Sequence, residues 1–379
     1  MTIHWIGTGL SAIPGLRRLL QSGADVTVWN RTEAKARAEV GDLTDDIRAY
    51  SFDDLADAVG KGDIIVSMLP ADQHVGLARL AIANGAHFVS SSYVAPEMAA
   101  LADDAKEAGV VLMNEVGLDP GIDHLMAHDL VADYKLQAAR PGDVVRFTSY
   151  CGGVPKHPNP FRYKFSWSPL GVLRALRSPS KSLRGGAVRD VARPWDAIEP
   201  YDAPLPVPER FEVYPNRDSL PFIRQYGFDT DWDVQDFVRG TLRLKGWQQA
   251  WSPVFAEVET LSGPEGDDRL REMADQFWRD NAYASGEPDR VVLFVALRAE
   301  RDGKIVWHKE WVLDAHGDAK GSAMAQLVSV PVSMAVQAVA DGRVAPGVHA
   351  APDDPLLVAD WLVEIGEIAQ HMAKVDHLR

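Results

Sequence analysis

The first 116 residues alternate between short β-rich runs and helix-patterned stretches: TIHWIG, a helix to about Ser22, ADVTVWN, a helix from Thr32, IRAYSF, DIIVSMLP, a helix from Ala71, AHFVSSS, a helix from Ala95, and VVLMNEV. Few architectures absorb that rhythm. A parallel strand pair needs a crossover long enough to hold a helix, so strands that alternate with helices predict βαβ units on a parallel sheet. At 379 residues the chain has room for a second domain with its own core.

The first strand runs straight into Gly7-Thr8-Gly9-Leu10-Ser11-Ala12, a G-x-G-x-x-A pattern. Gly7 makes the tight turn, Gly9 lets backbone approach a pyrophosphate, and Ala12 lets helix and strand pack closely. Alone the pattern is a weak signal. Placed between a strand and a helix, at the head of further βαβ units, it predicts a Rossmann dinucleotide-binding domain in which Gly7, Gly9, Leu10, Ser11 and Ala12 face the cofactor. The end of the second strand, where an NAD enzyme usually carries an acidic residue for the ribose 2′-OH, reads Asn30-Arg31-Thr32. Arg31 can pair with a 2′-phosphate, so NADP is the expected cofactor, with NAD possible. Leu69-Pro70, closing the fourth strand, joins the same rim of the sheet.

A net charge of −15 and a pI near 5.2 argue against nucleic acid or an anionic membrane as partner, because both need a basic face. The acidity is uneven: residues 140–250 hold 17 Lys and Arg against 12 Asp and Glu. A basic middle in an acidic chain suits an anionic small molecule. The opening strand pattern carries no charged leader, no stretch reads as the roughly 18 apolar residues of a bilayer span, and a single cysteine, Cys151, excludes an intrachain disulfide; the expectation is a cytoplasmic protein.

NEVGLDPGIDH (114–124) places Asp119, Pro120 and Gly121 after the strand pattern VVLMNEV and before a new helix. Ligands of open parallel sheets bind beyond the carboxyl ends of the strands, and the free N–H groups of a helix start favour anions. The pattern changes near residue 120. A first domain of residues 1–120 is followed by an α+β domain of 121–322, and the helical stretch AMAQLVSVPVSMAVQAVADG opens a return, about 323–379, that completes the first. In the second region SYCGGV (149–154), RYKFSW (162–167), YPNRDS (214–219) and RGTLRLKG (239–246) gather glycines, aromatics and arginines, the last two with their arginines near turns.

Taken in order with the fingerprint and NEVGLDPGIDH, SYCGG, YKFSWSPLGVL, YPNRDS and RGTLR make the chain resemble the saccharopine dehydrogenases of the glutamate-forming type. The resemblance covers about residues 1–250 closely and the AMAQLVSVP and GVHAAP stretches more loosely; about Ser252 to Val291 departs from the family pattern. It implies an NADP-linked oxidoreductase of lysine metabolism that interconverts saccharopine with glutamate and α-aminoadipate semialdehyde, working as a homodimer. Ser92, Gly152, Gly153, Trp167 and Thr241 would line the substrate cleft, with Asp119, Cys151 and Tyr93 as acid–base candidates. Saccharopine carries three carboxylates, for which the planar, always charged guanidinium is suited, and Arg217 and Arg243 are the leading anchors. Two other readings share the scaffold: a reductase of a carboxylated polyamine imine, and a noncatalytic NADP-binding regulator. His124 and His128 stand four apart on one helix face, but no cysteine or HExxH pattern accompanies them and hydride transfer needs no metal, so they read as packing or hydrogen-bonding histidines.

Overall fold

The computed structural model describes residues 1–379 and divides into two compact units, Met1–Leu125 with Met324–Ile365, and Met126–Ala323 with Gly366–Arg379. The first is built on the expected parallel sheet. Its strands lie in the spatial order Gly347–His349, Val111–Met113, His87–Ser90, Ile64–Ser67, Ile3–Ile6, Val26–Asn30, Ile47–Ala49, with every neighbouring pair parallel. The order reverses at Ile3–Ile6, which sets a ligand crevice beyond the carboxyl end of that strand. Ile3–Ile6 and Ile64–Ser67 are buried along their whole length, as unbroken apolar strands covered on both faces should be. Helix His74–Asn84 contributes Leu77, Ala78 and Ala81 to a core shared with Ile6, Trp29, Ile65, Phe88 and Leu112.

The return segment supplies an edge strand and helix Ala323–Ala340. By length and composition this helix is apolar enough to cross a membrane, contrary to the expectation that no stretch would be, and 78% of it is buried inside the protein. It packs on helix Ile13–Gln21 at the shortest possible spacing. Gly15 N donates to Ser329 Oγ at 2.8 Å, and a methyl on Gly15 would lie 1.9 Å from the Ser329 carbonyl oxygen. Arg18 adds bonds to Ser333 Oγ at 3.1 Å and Gln337 Oε1 at 2.8 Å.

The second unit holds a mixed sheet in the order Glu199–Ala203, Glu209–Pro215, Asp233–Leu244, Val144–Pro155, Asp289–Arg301, Lys304–His316, His371–Asp376; Ser180–Arg184 and Ala187–Val191 attach to its side. Only Asp233–Leu244 and Val144–Pro155 pair in parallel. RGTLR lies at the end of a long strand, with Arg243 two residues before the turn at Lys245–Gly246. The segment that departs from the family pattern forms helices Trp247–Thr260 and Gly263–Asn281, which with Pro169–Leu176 enclose a core of Tyr163, Phe165, Trp247, Trp251 and Phe255. The last residues belong to the second unit rather than the first, because His371–Asp376 pairs with Lys304–His316 and Lys374 Nζ reaches Asp129 at 2.8 Å and Asp133 at 2.6 Å on helix Ile122–Gln137.

Candidate active site

In the first unit the fingerprint turns as its residue types demand. Gly7 has φ +100°, a region that costs an L side chain strain, and a methyl there would sit 3.3 Å from the Met68 carbonyl oxygen. Gly9 and Leu10 are exposed, Ser11 is half-buried, and Ala12 is buried under the start of helix Ile13–Gln21, whose first turn has no side-chain cap. The exposed turn at Gly9 and Leu10, together with a buried Thr8 Oγ1 that has no hydrogen-bond partner, forms a cradle at the helix start that fits a pyrophosphate. Asn30 ties the cradle together, accepting from Thr8 N at 3.1 Å and donating to the Thr32 carbonyl at 2.8 Å. Arg31 and Thr32 are exposed beside it, and Leu69 and Pro70 follow strand Ile64–Ser67 at the same rim, where Leu69 N approaches Ser67 Oγ at 3.4 Å.

Two of the acid–base candidates meet in the same unit. Tyr93 donates to Asp119 Oδ1 at 3.2 Å. Ser92 precedes Tyr93 in the loop after strand His87–Ser90 and its carbonyl accepts from Glu115 N at 3.0 Å. Glu115, absent from the sequence candidates, is 4% exposed and holds φ +56°, a left-handed backbone that costs an L residue about 1–2 kcal/mol. Its Oε1 accepts from Val94 N at 2.9 Å, and its Oε2 lies 3.0 Å from Nε2 of the fully buried His124. His128, the other helix histidine, stands edge-on to Tyr226 in the second unit with ring centres 5.5 Å apart.

The remaining candidates lie in the second unit. Cys151 is buried in the middle of strand Val144–Pro155, in register with Thr241 on the parallel neighbour, which is in turn in register with Tyr214. Gly152 is required by packing, since a methyl there would come 2.6 Å from the Leu242 carbonyl oxygen; Gly153 continues the strand half-exposed. Alternation along the strand puts Arg239, Thr241 and Arg243 on one face. Arg243 is 5% exposed, with its guanidinium 4.9 Å from the Tyr163 ring centre, 5.3 Å from Trp247 and 5.6 Å from Tyr214. It donates to the Leu242 carbonyl at 3.0 Å, its Nε is unbonded, and no carboxylate pairs with it. Glu212, opposite in register, is committed to the N–H groups of Gly246 and Gln248 at 2.7 Å each. Burial also raises the Tyr214 phenol above its usual pKa, against the opposing pull of the Arg243 charge.

Desolvating a guanidinium costs several kcal/mol, and three cation–π contacts at roughly 0.5–2 kcal/mol each offset only part of it. That balance leaves the Arg243 charge only partly compensated, which suits the box to an anionic partner. Trp167 borders it through a 3.3 Å bond from its Nε1 to Tyr163 Oη and lies over Gly171. Arg217 differs: it is exposed, sits at φ +56°, and its carbonyl accepts from Lys181 N at 2.8 Å. The sequence singled out Arg243 from its motif; Tyr163 and Tyr214 lie in the stretches RYKFSW and YPNRDS and Trp247 just beyond RGTLRLKG, but their closure around one guanidinium had no local signal.

Residues 3–113 match the family model described as the saccharopine dehydrogenase NADP binding domain, and residues 117–367 match that of the saccharopine dehydrogenase C-terminal domain. Over 273 residues the chain is 38% identical to the saccharopine dehydrogenase [NADP(+), L-glutamate-forming] of Pyricularia oryzae, covering 70% of this chain but 59% of that relative. With the Schizosaccharomyces pombe enzyme of the same name it shares 30% identity over 93% of this chain and 94% of the other. The structure of apo saccharopine dehydrogenase (L-Glu forming) from Saccharomyces cerevisiae superposes with a TM-score of 0.81 at 26% identity, covering 99% of both chains. A parallel sheet with a dinucleotide fingerprint, closed at its edge by a returning strand, a second unit with a buried arginine in an aromatic box, and family models over nearly all of the chain agree: it belongs to the saccharopine dehydrogenase family.

Proposed function

We propose that the protein is an NADP-dependent saccharopine dehydrogenase of the L-glutamate-forming type, oxidising the secondary amine of saccharopine to an imine that water splits into glutamate and α-aminoadipate semialdehyde. The observation that carries this reading is Arg243, a buried cation in an aromatic box with no carboxylate of its own. NADP, when bound, supplies the hydride acceptor. Arg243 takes one substrate carboxylate in the bidentate manner of a guanidinium, and Arg217 takes another at the exposed turn. Asp119, with Tyr93 donating to it, removes a proton from the substrate nitrogen and exchanges protons with the hydrating water. Thr241 and Cys151, side by side in register, and Trp167 contribute to substrate binding from the second unit. Ser92 belongs to the loop that presents Tyr93. The protein is further proposed to act as a homodimer, and in the reducing cytoplasm, the second of these supported by its single buried cysteine.

The test is nicotinamide absorbance with saccharopine and each cofactor in turn. NADP reduction that requires saccharopine is the expected result. Binding of both cofactors without turnover would favour a noncatalytic regulator, and turnover confined to a carboxylated polyamine would favour the related reductase.

A further inference from the structure

Two segments that carry candidate residues, Ser92–Val94 and Asp119–His124, meet at Glu115. Glu115 Oε1 accepts the N–H of Val94, next to Tyr93, at 2.9 Å, and Glu115 N donates to the Ser92 carbonyl at 3.0 Å, so this one residue grips both sides of Tyr93. Its Oε2 lies 3.0 Å from His124 Nε2, a close polar approach without hydrogen-bond alignment. Nδ1 of the same ring lies 3.4 Å from Asp123 Oδ2, and Asp123 Oδ1 accepts from Gly121 N at 2.7 Å, two residues beyond Asp119. Asp123 and His124 are fully buried and Glu115 nearly so.

We propose that Glu115, His124 and Asp123 form a positioning relay that holds Tyr93 and Asp119 within hydrogen-bond reach of each other. Its catalytic consequence rests on the saccharopine dehydrogenase reading. Glu115 occupies a left-handed backbone position that glycine or asparagine fills at less cost, and its carboxylate turns inward to a loop N–H and an imidazole. The relay begins at the residue after Tyr93, ends two residues after Asp119, and connects the two loops that also share the 3.2 Å Tyr93–Asp119 bond. A carboxylate, an imidazole and a second carboxylate are the groups that orient one another's donors and acceptors while out of contact with solvent.

Glu115→Gln keeps the shape and one acceptor oxygen but removes the charge facing His124; His124→Asn breaks the relay from the other side. Each variant is to be compared with the wild type for NADP affinity, thermal unfolding, amide hydrogen exchange, and kcat and KM for saccharopine across pH. A positioning role predicts NADP affinity close to the wild type, faster exchange confined to residues 92–95 and 119–124, and kcat lower by about 10–100-fold with little change in KM, the size typical of losing a group that orients a reacting one. The pH dependence of kcat should shift in both variants, and Glu115→Asp should recover part of the loss. Unchanged exchange and unchanged kcat in folded Glu115→Gln overturn the proposal. So does global unfolding of both variants, which would make the trio a plain structural element. If the wild type itself fails to oxidise saccharopine, the proposed reaction falls, and the exchange measurement alone decides the relay.

Discussion

Arg31 and Arg243 are both arginines that the sequence marks, yet the fold gives them opposite surroundings. Arg31 is exposed at the rim of the cradle, so its contribution is a charge-assisted bond of about 1.5–3 kcal/mol. Arg31→Ala should therefore weaken NADP by roughly 10–150-fold while leaving NAD nearly unaffected, as calorimetric titration of the two cofactors will show. Equal losses would mean that the residue does not read the 2′-phosphate. Arg243 sits in a desolvated box, where truncating one partner of a charge pair typically costs about 2–5 kcal/mol. Arg243→Gln should lower kcat/KM for saccharopine by about 30-fold or more with NADP affinity intact, and Arg217→Ala should do the same if it anchors the second carboxylate. Normal saccharopine kinetics in either variant removes that residue from the substrate site. The identity of Arg243 could be read from its motif, whereas its enclosure could not, because Tyr163 and Tyr214, two of the three rings around it, come from other parts of the chain. Glu115 was illegible for a related reason: between an apolar strand and a glycine it resembles an ordinary polar turn residue.

At the scale of elements, the contact between helices Ile13–Gln21 and Ala323–Ala340 depends on the missing side chain of Gly15. Alanine is the better helix former by about 0.8–1.0 kcal/mol, but its methyl would collide with a backbone oxygen that cannot rotate away, and overpacking of this kind costs about 1–3 kcal/mol. Gly15→Ala should thus lower the unfolding temperature and weaken NADP binding, since the same helix starts at Ala12; a more stable variant would show that the two helices can part freely. The last strand supplies a second prediction. His377 Nε2 contacts Glu310 Oε2 at 2.9 Å, Glu310 Oε1 accepts from Tyr201 Oη at 2.7 Å, and the His308 and His377 rings stack 4.2 Å apart. The bond to Glu310 raises the His377 pKa above its ordinary value near 6.5, whereas burial lowers that of His308. A raised folded-state value means that the stabilisation by His377 is complete below about pH 6.5 and fades as pH rises through the raised value. The stability difference between wild type and His377→Gln should be larger at about pH 5.5 than at about pH 8; a difference that grows with pH would contradict it. His308 works in the opposite sense, so the whole-protein profile need not show either effect alone. The first sheet was legible because each βαβ unit announces itself locally. The second was not: its central parallel pair joins Val144–Pro155 to Asp233–Leu244 across a long intervening stretch, and no local period encodes such a partner.

The whole molecule is interleaved, with the second unit inserted in the first and the final residues returning to the second. Removing Gly366–Arg379 should therefore lower the melting temperature of the second unit and abolish saccharopine turnover while NADP binding survives; loss of NADP binding as well would show that the units do not hold together separately. The basic middle of an acidic chain acquires its place in the same scheme, since residues 140–250 fall within the second unit, the one with the Arg243 box. Interleaving also sets a schedule for synthesis. Residues 1–125 leave the ribosome early, but the strand that covers the Val111–Met113 edge and the helix that covers Gly15 follow some two hundred residues later. At translation rates of about 5–20 residues per second the nascent sheet spends roughly 10–40 s with an open edge and a bare apolar face, the kind of surface that chaperones hold and neighbouring nascent chains adhere to.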